Sequence, residues 1–344
     1  MKQTNLIALG TCALCLALLL FPYGKASASV SDAGGSIAAT ESSTLPKTTE
    51  ASSAGRDAAS DDAETDFDRT LTLRVLDGEQ IEEMTLYDYL TGVLLAEMPA
   101  SFPLEALKAQ AVASRTFALR KSKAEKHSGA DICTNSACCQ GREDPALCPE
   151  ASVRAVQEAI SETDGQVIVY DGELIDATFF SCTGGRTESA VAVWGSDIPY
   201  LQAVESPNEE NAPRYSESRI FTPEEFSAQI AAAYPEAKLS GKPSDWFGTI
   251  TYTVGGGIEY AVIGGVSISG TELRSILALR STDIELQVGE DSIRVTTYGY
   301  GHRVGMSQYG AKAMAEHGSG YEEILTHYYL NTELRRLYLE TPQE

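Results

Sequence analysis

The stretch AEMPASFPLEALKAQAVASRTFAL, residues 96–119, decides the fold. Leu86 to Met98 repeats apolar residues with helical spacing and stops at Pro99, which cannot donate a backbone hydrogen bond. Pro103 falls at a helix start, where its missing N–H costs nothing, so a second helix is predicted from there to about Lys126. Two helices joined by a short proline-bounded turn leave Glu97 at the end of the first, among Leu94, Leu95, Met98 and Phe102. A carboxyl in apolar surroundings resists ionisation, so its pKa rises, which suits a general acid at neutral pH. A surface glutamate at a helix end is the plainer reading of the same letters. On the second helix Lys108 and Arg115 are seven apart and share a face. They either hold an anionic group or form a solvated basic stripe.

Working outward, Leu71–Leu76 alternates as a strand and ends at Asp77-Gly78. Ala151–Ser161 reads as a helix, and residues 166–170 and 173–180 as a hairpin around Asp171-Gly172. A helix is predicted over Pro223–Ala233. Short strands are predicted over 249–254, 258–263, 283–288 and 292–298, with a helix near 270–279. Helices over Met306–His317 and Tyr321–Tyr329 close the chain. Helices first and short, mainly antiparallel strands later predict an α+β fold, one folded unit over 67–340 with no internal repeat.

Three further segments carry chemistry. His127, Cys133 and Cys139 are spaced six apart in a loop. One imidazole and two thiolates suit tetrahedral zinc. Disulfides, for example Cys138 with Cys148, are the competing reading, and the spacing does not separate them. Ser181-Cys182-Thr183-Gly184-Gly185-Arg186-Thr187-Glu188 follows a strand, and its paired glycines permit a sharp turn with close backbone approach to a ligand. A plain hairpin turn fits as well. Residues 298–311, YGYGHRVGMSQYGA, place His302, Ser307 and Gln308 beside three glycines leading into a helix. The spacing is wrong for a dinucleotide fingerprint, and the segment reads as a loop lining a ligand.

The chain has 344 residues, 43% of them hydrophobic, which is enough for a substantial core. It carries 49 acidic against 26 basic residues, a formal charge of −23, and this argues against a nucleic-acid groove. Lys2, the apolar run Leu6–Phe21 and the A-x-A site Ala26-Ser27-Ala28 form a signal or a membrane anchor over 1–26. Cleaved and uncleaved forms both fit, and either puts the rest of the chain outside the cytoplasm. Residues 27–66, acidic and rich in Ala, Ser and Thr, read as a disordered linker.

Taken in order, these segments resemble the stage II sporulation protein D family of peptidoglycan lytic transglycosylases. AEMPASFPLEALKAQAVASRTFAL and GHRVGMSQYGAKAMAEHGSGYEEILTHYY, residues 301–329, carry the resemblance, supported by CTNSACCQG at 133–141 and SCTGGRTE at 181–188. It covers about residues 70–340. The resemblance implies an active-site cleft and cleavage of stripped glycan strands between N-acetylmuramic acid and N-acetylglucosamine, leaving 1,6-anhydro ends. It implies Glu97 as the acid, and His127, Cys133 and Cys139 as ligands of a structural zinc. Lys108, Arg115, Ser181, Gly184, Gly185, His302, Ser307 and Gln308 would line the cleft. It further implies anchorage in the mother-cell membrane during engulfment, with stage II sporulation proteins P (an amidase) and M as partners. A binder that recruits an amidase without cutting is the alternative. Two departures stand out: Arg303 sits where the family usually has Gly, and Cys182 where a hydroxyl or imidazole is usual. The first would restrict the loop or add a sugar contact.

Overall fold

The computed structural model describes residues 66–339; the signal or anchor over 1–26, nearly all of the predicted linker and the last five residues lie outside that range. At its centre is the helix Leu104–Ser122. Ala106, Ala109, Ala111, Ala113 and Ala118 are buried around its circumference together with Leu107 and Val112. Such a helix is not amphipathic; its small side chains let neighbours approach from several sides. Around it pack the helices Leu86–Glu97, Glu150–Glu162, Gln308–Glu316 and Tyr321–Tyr328. The central helix ends four residues before the predicted Lys126, because the chain turns at Glu125 with φ of 46°.

Two small sheets flank these helices. Thr72–Asp77 pairs antiparallel with Gln80–Thr85, and parallel with Ile132–Cys133. Gln166–Tyr170 lies between Glu173–Leu174 and Glu333–Arg336. Asp171 and Gly172 both take positive φ, as a tight Asp-Gly hairpin turn requires. The predicted second arm, 173–180, is cut short. Its end leaves the hairpin so that Phe179–Phe180 can pair parallel with Met306–Ser307.

A second apolar core is built from the chain between these parts. Ser216–Phe221, Asp283–Val288 and Ile293–Tyr298 form one antiparallel sheet, with Ile293–Tyr298 in the middle. Phe247–Tyr252, Ile258–Ile263 and Val266–Ser269 form another. Between them lie Phe226, Ile230, Trp246, Ile258, Ile263, Leu273 and Val295. Thr222 and Ser269 each cap a helix through a reciprocal bond with a glutamate three residues on. The fold is α+β. Among the described residues no helix is long and apolar enough to cross a membrane.

Candidate active site and metal centre

Glu97 closes its helix between buried Leu94, Met98 and Phe102. Burial pushes its carboxyl up to about 7, against the opposing pull of the nearby Gly141 N–H. Neither a cation nor a second carboxylate is among the groups that shift it. The main chain of Glu97 is also held. Gln308 Nε2 donates to its carbonyl at 2.9 Å, and leans on fully buried Gln110 at 3.5 Å. The residues around Glu97 can therefore keep a proton on one carboxyl near neutrality and hold that carboxyl in place.

Gly141 comes from the cysteine loop, which forms a compact donor cluster. His127 Nε2 lies 3.3 Å from Cys139 Sγ and 3.6 Å from Cys138 Sγ, and the two sulfurs are 3.9 Å apart. With Cys133, all four donor atoms lie within 4.8 Å of one another. A tetrahedral ion with metal–sulfur bonds of about 2.3 Å requires sulfurs about 3.8 Å apart, so these residues fit a metal. Their chemistry agrees. Burial first, and then the neighbouring thiols, push Cys139 up to about 12, a cost that a bound cation would remove. Cys138, outside the expected ligand set of His127, Cys133 and Cys139, is a free thiol that lies in the same cluster as a fourth candidate donor, with Lys126 Nζ 3.0 Å from its sulfur. Tyr89, fully buried, connects the two features. Burial first, and then the charges of Cys139, Cys133 and Glu97, push its hydroxyl's pKa well up, and that hydroxyl donates to Gln140 beside Gly141.

The loops at 181–188 and 301–311 meet at a residue that the motifs did not reveal. Glu209 is 2% exposed and accepts four hydrogen bonds. Its donors are the Thr183 N–H at 2.7 Å, the Thr183 hydroxyl at 3.0 Å, the Ser307 hydroxyl at 2.8 Å and the Ser206 hydroxyl. Ser206 donates to Glu209, so the Tyr328 hydroxyl, 2.6 Å away, donates to Ser206. Gly310 has to be glycine here, since a Cβ would strike Tyr328, Ser206 and Glu209. The Asn208-Glu209-Glu210 loop carries no pattern that marks Glu209; only the partners, brought from far along the chain, do so. Ser181 contributes its carbonyl, which accepts from the Tyr309 N–H.

Several predicted cleft residues have other employment. Arg115 is fully buried, and its guanidinium grips Asp68 with Nε 2.8 Å from Oδ1. It faces the core and not a cleft, because burial demands a carboxylate partner that the linear spacing did not show. Lys108 is bound between Glu105 at 2.8 Å and Glu162 at 2.5 Å, so its charge is already matched. Gly184 is packed where a Cβ would strike Asp283 and Tyr298, and Gly185 takes φ of 119°. His302 has its ring between Phe180 and Trp194, and its Nδ1 accepts from the Val304 N–H. Burial first, then Arg274, lowers its pKa to about 4, so the ring is neutral.

Arg303 makes no exposed sugar contact. It is fully buried with φ of 65°, and donates from Nη2 to the Gly255 carbonyl at 2.6 Å and the Arg186 carbonyl at 2.9 Å. Glu188 and Asp283 lie 3.7 and 3.5 Å from its guanidinium. Glu188 in turn accepts from Thr253 and the Gly257 N–H, so this group ties the second core to the loop that follows Tyr300. The left-handed backbone explains why glycine suits the position, and the buried contacts offset the strain an arginine brings. Cys182 is likewise buried, and burial pushes its thiol up to about 12, which makes it inert.

Comparison with known proteins places these segments in a family. Residues 77–170, which hold Glu97, the central helix and the cysteine loop, match the SpoIID family model, described as "Stage II sporulation protein". The chain is 37% identical over 267 residues to stage II sporulation protein D of Bacillus subtilis, covering 74% of this chain and 76% of that protein. It is 36% identical over 282 residues to the protein of the same name from Bacillus amyloliquefaciens, covering 74% and 75%. It is also 28% identical over 305 residues to the amidase enhancer of Bacillus subtilis, covering 71% of this chain and 40% of that protein. With Glu97 and the cysteine loop inside the matched region, the chain belongs to the stage II sporulation protein D family.

Proposed function

We propose that this protein is a lytic transglycosylase that cuts peptidoglycan glycan strands between N-acetylmuramic acid and N-acetylglucosamine during engulfment. The observation that carries this reading is Glu97: one carboxyl, pushed up to about 7, with no second carboxylate among the groups that shift it. A glycoside hydrolase ordinarily needs two carboxylates, the second to act on water or on C1. One suffices if the nucleophile is already in the substrate. Protonated Glu97 gives its proton to the bridging oxygen as the C1–O bond breaks. The muramic 6-hydroxyl then bonds to C1, and its proton returns to the carboxylate. The products are a free 4-hydroxyl and a 1,6-anhydro ring, and Glu97 ends as it began.

The Gly141 N–H moderates the rise in pKa, while Gln308 fixes the helix end that carries the side chain. We assign the His127, Cys133, Cys138 and Cys139 cluster to a structural zinc. Zinc would cross-link the loop that presents Gly141. With four protein donors the ion has no open position, so the chemistry stays with Glu97. Anchorage in the mother-cell membrane by the N-terminal segment, and work beside stage II sporulation proteins P and M, belong to the same proposal. An amidase that strips stem peptides would supply the substrate.

The likeness to an amidase enhancer favours a second reading, in which the chain binds stripped glycan and recruits an amidase without cutting. Product analysis separates the two. Purified protein is incubated with peptidoglycan, with and without prior amidase treatment, and the fragments are weighed. The enzyme leaves ends about 18 mass units lighter than hydrolysis would, one water fewer, and these resist borohydride. Uncut strands that are nonetheless bound would favour the enhancer, and reducible, water-added ends would overturn the single-carboxylate mechanism.

A further inference from the structure

Trp194 is 44% exposed, whereas the only other tryptophan of the chain, Trp246, is 5% exposed within the second core. It ends the one-turn helix Ala190–Trp194, which Gly195 terminates in the left-handed conformation. Three residues earlier Val191 is 48% exposed on the same side. The indole is not loose. Its ring centroid lies 5.3 Å from that of His302, and His302 lies 5.7 Å from Phe180, which is buried. Three rings thus form a row with one end in the core and the other in solvent. The buried end belongs to the Phe179–Phe180 strand, which pairs with Met306–Ser307, and the next residue, Gln308, holds Glu97.

We propose that Trp194, buttressed by His302, is a stacking platform for one uncharged pyranose ring of a glycan strand running toward Glu97. This rests on the function proposed above for the class of ligand. The ligand chemistry follows from the platform. A π face attracts the weakly positive C–H face of a sugar ring much as it attracts the edge of another aromatic ring. A neutral histidine behind it presents no charge, so an uncharged ring such as N-acetylglucosamine suits it better than muramic acid with its free carboxylate. A protein partner fits less well: one indole and one valine fall far short of the roughly 800 Å² per side that a stable protein interface buries.

The test uses the full chain carrying Glu97→Gln, which stops turnover, and amidase-stripped glycan strands as the titrant. Intrinsic tryptophan fluorescence should change on binding. The change should vanish in Glu97→Gln/Trp194→Phe, where only buried Trp246 remains. Trp194→Ala in the same background should weaken Kd by roughly fivefold to tenfold, the range of a lost aromatic contact. Trp194→Phe should weaken it less, and a melting curve checks that each variant is folded. Equal glycan affinity in the Trp194→Ala chain, with no fluorescence change in its parent, would overturn the platform and leave the function proposed for Glu97 standing. A Trp194 signal with stripped strands that the parent enzyme binds but never cuts would do the reverse. A Trp194 response to an added amidase and none to glycan would also overturn the platform, in favour of a protein partner.

Discussion

Gln308 Nε2 donates to the main-chain carbonyl of Glu97 at 2.9 Å, across 211 positions of sequence. The bond joins the two segments that carry the family resemblance, and it fixes the helix end on which the acid stands. Gln308→Ala removes a donor from a part-buried carbonyl, and a lost bond of this kind is worth about 1 kcal/mol. We expect cleavage to fall roughly fivefold and melting to drop by only about 2–4 °C. Rates on stripped strands, measured beside melting curves, check this. An unchanged rate would show that Glu97 does not depend on Gln308.

Arg115→Ala leaves Asp68 buried without its cation. Breaking a buried pair in this way costs on the order of 3–5 kcal/mol. Arg115 also donates to the Gln166 carbonyl, so the strand beside it loses support as well. Denaturant midpoints should drop accordingly, while the KM of whatever folded enzyme remains stays near the parent value. A changed KM with normal stability would return Arg115 to the cleft.

Chelation should lower the melting temperature, because metal bound only by the folded chain contributes directly to folding free energy. Cys138→Ser removes one of four donors and should reduce metal affinity as Cys133→Ser does. Elemental analysis of the parent should give close to one equivalent of zinc. Full metal retention in Cys138→Ser would limit the ligands to His127, Cys133 and Cys139.

What could be read from the letters follows physical range. Pro99 and Pro103 mark helix ends by local chemistry, so Leu86–Glu97 and the start of Leu104–Ser122 were legible. Gln80–Thr85 was not, since Glu82 and Glu83 lie on an exposed strand without apolar alternation. Ser216–Phe221 and Glu333–Arg336 are polar strands for the same reason. The apolar flank of Glu97 is written beside it in sequence, and the shift to about 7 agrees with that reading. Glu209 was hidden because its partners Thr183, Ser206 and Ser307 come from three segments. Arg115 was misplaced because Asp68 lies 47 residues away, and spacing on one helix says nothing about a partner on another.

Acidity supplies the last prediction. An ordinary glutamate titrates near 4.5, and Glu97 is raised to about 7 by burial. Below 4.5 the native and unfolded chains both hold this proton, and the shift has no effect on stability. Between 4.5 and about 7 the native chain keeps a proton that the unfolded chain has released, so stability falls as pH rises. Above about 7 the native chain carries a buried carboxylate and the full loss stands. Glutamine has no such titration. Glu97→Gln should therefore match the parent more closely at pH 5 than at pH 8, where it should be the more stable by on the order of 2 kcal/mol. Asp283, raised to about 6, titrates in both chains and cancels from the comparison. Cleavage by the parent should decline above about pH 7 with the loss of one proton, since the acid has to start protonated. Denaturant midpoints at the two pH values and a rate profile supply the measurements. A stability gap that does not change with pH, or a rate still rising past pH 8, would mean that Glu97 carries an ordinary pKa and is not the acid.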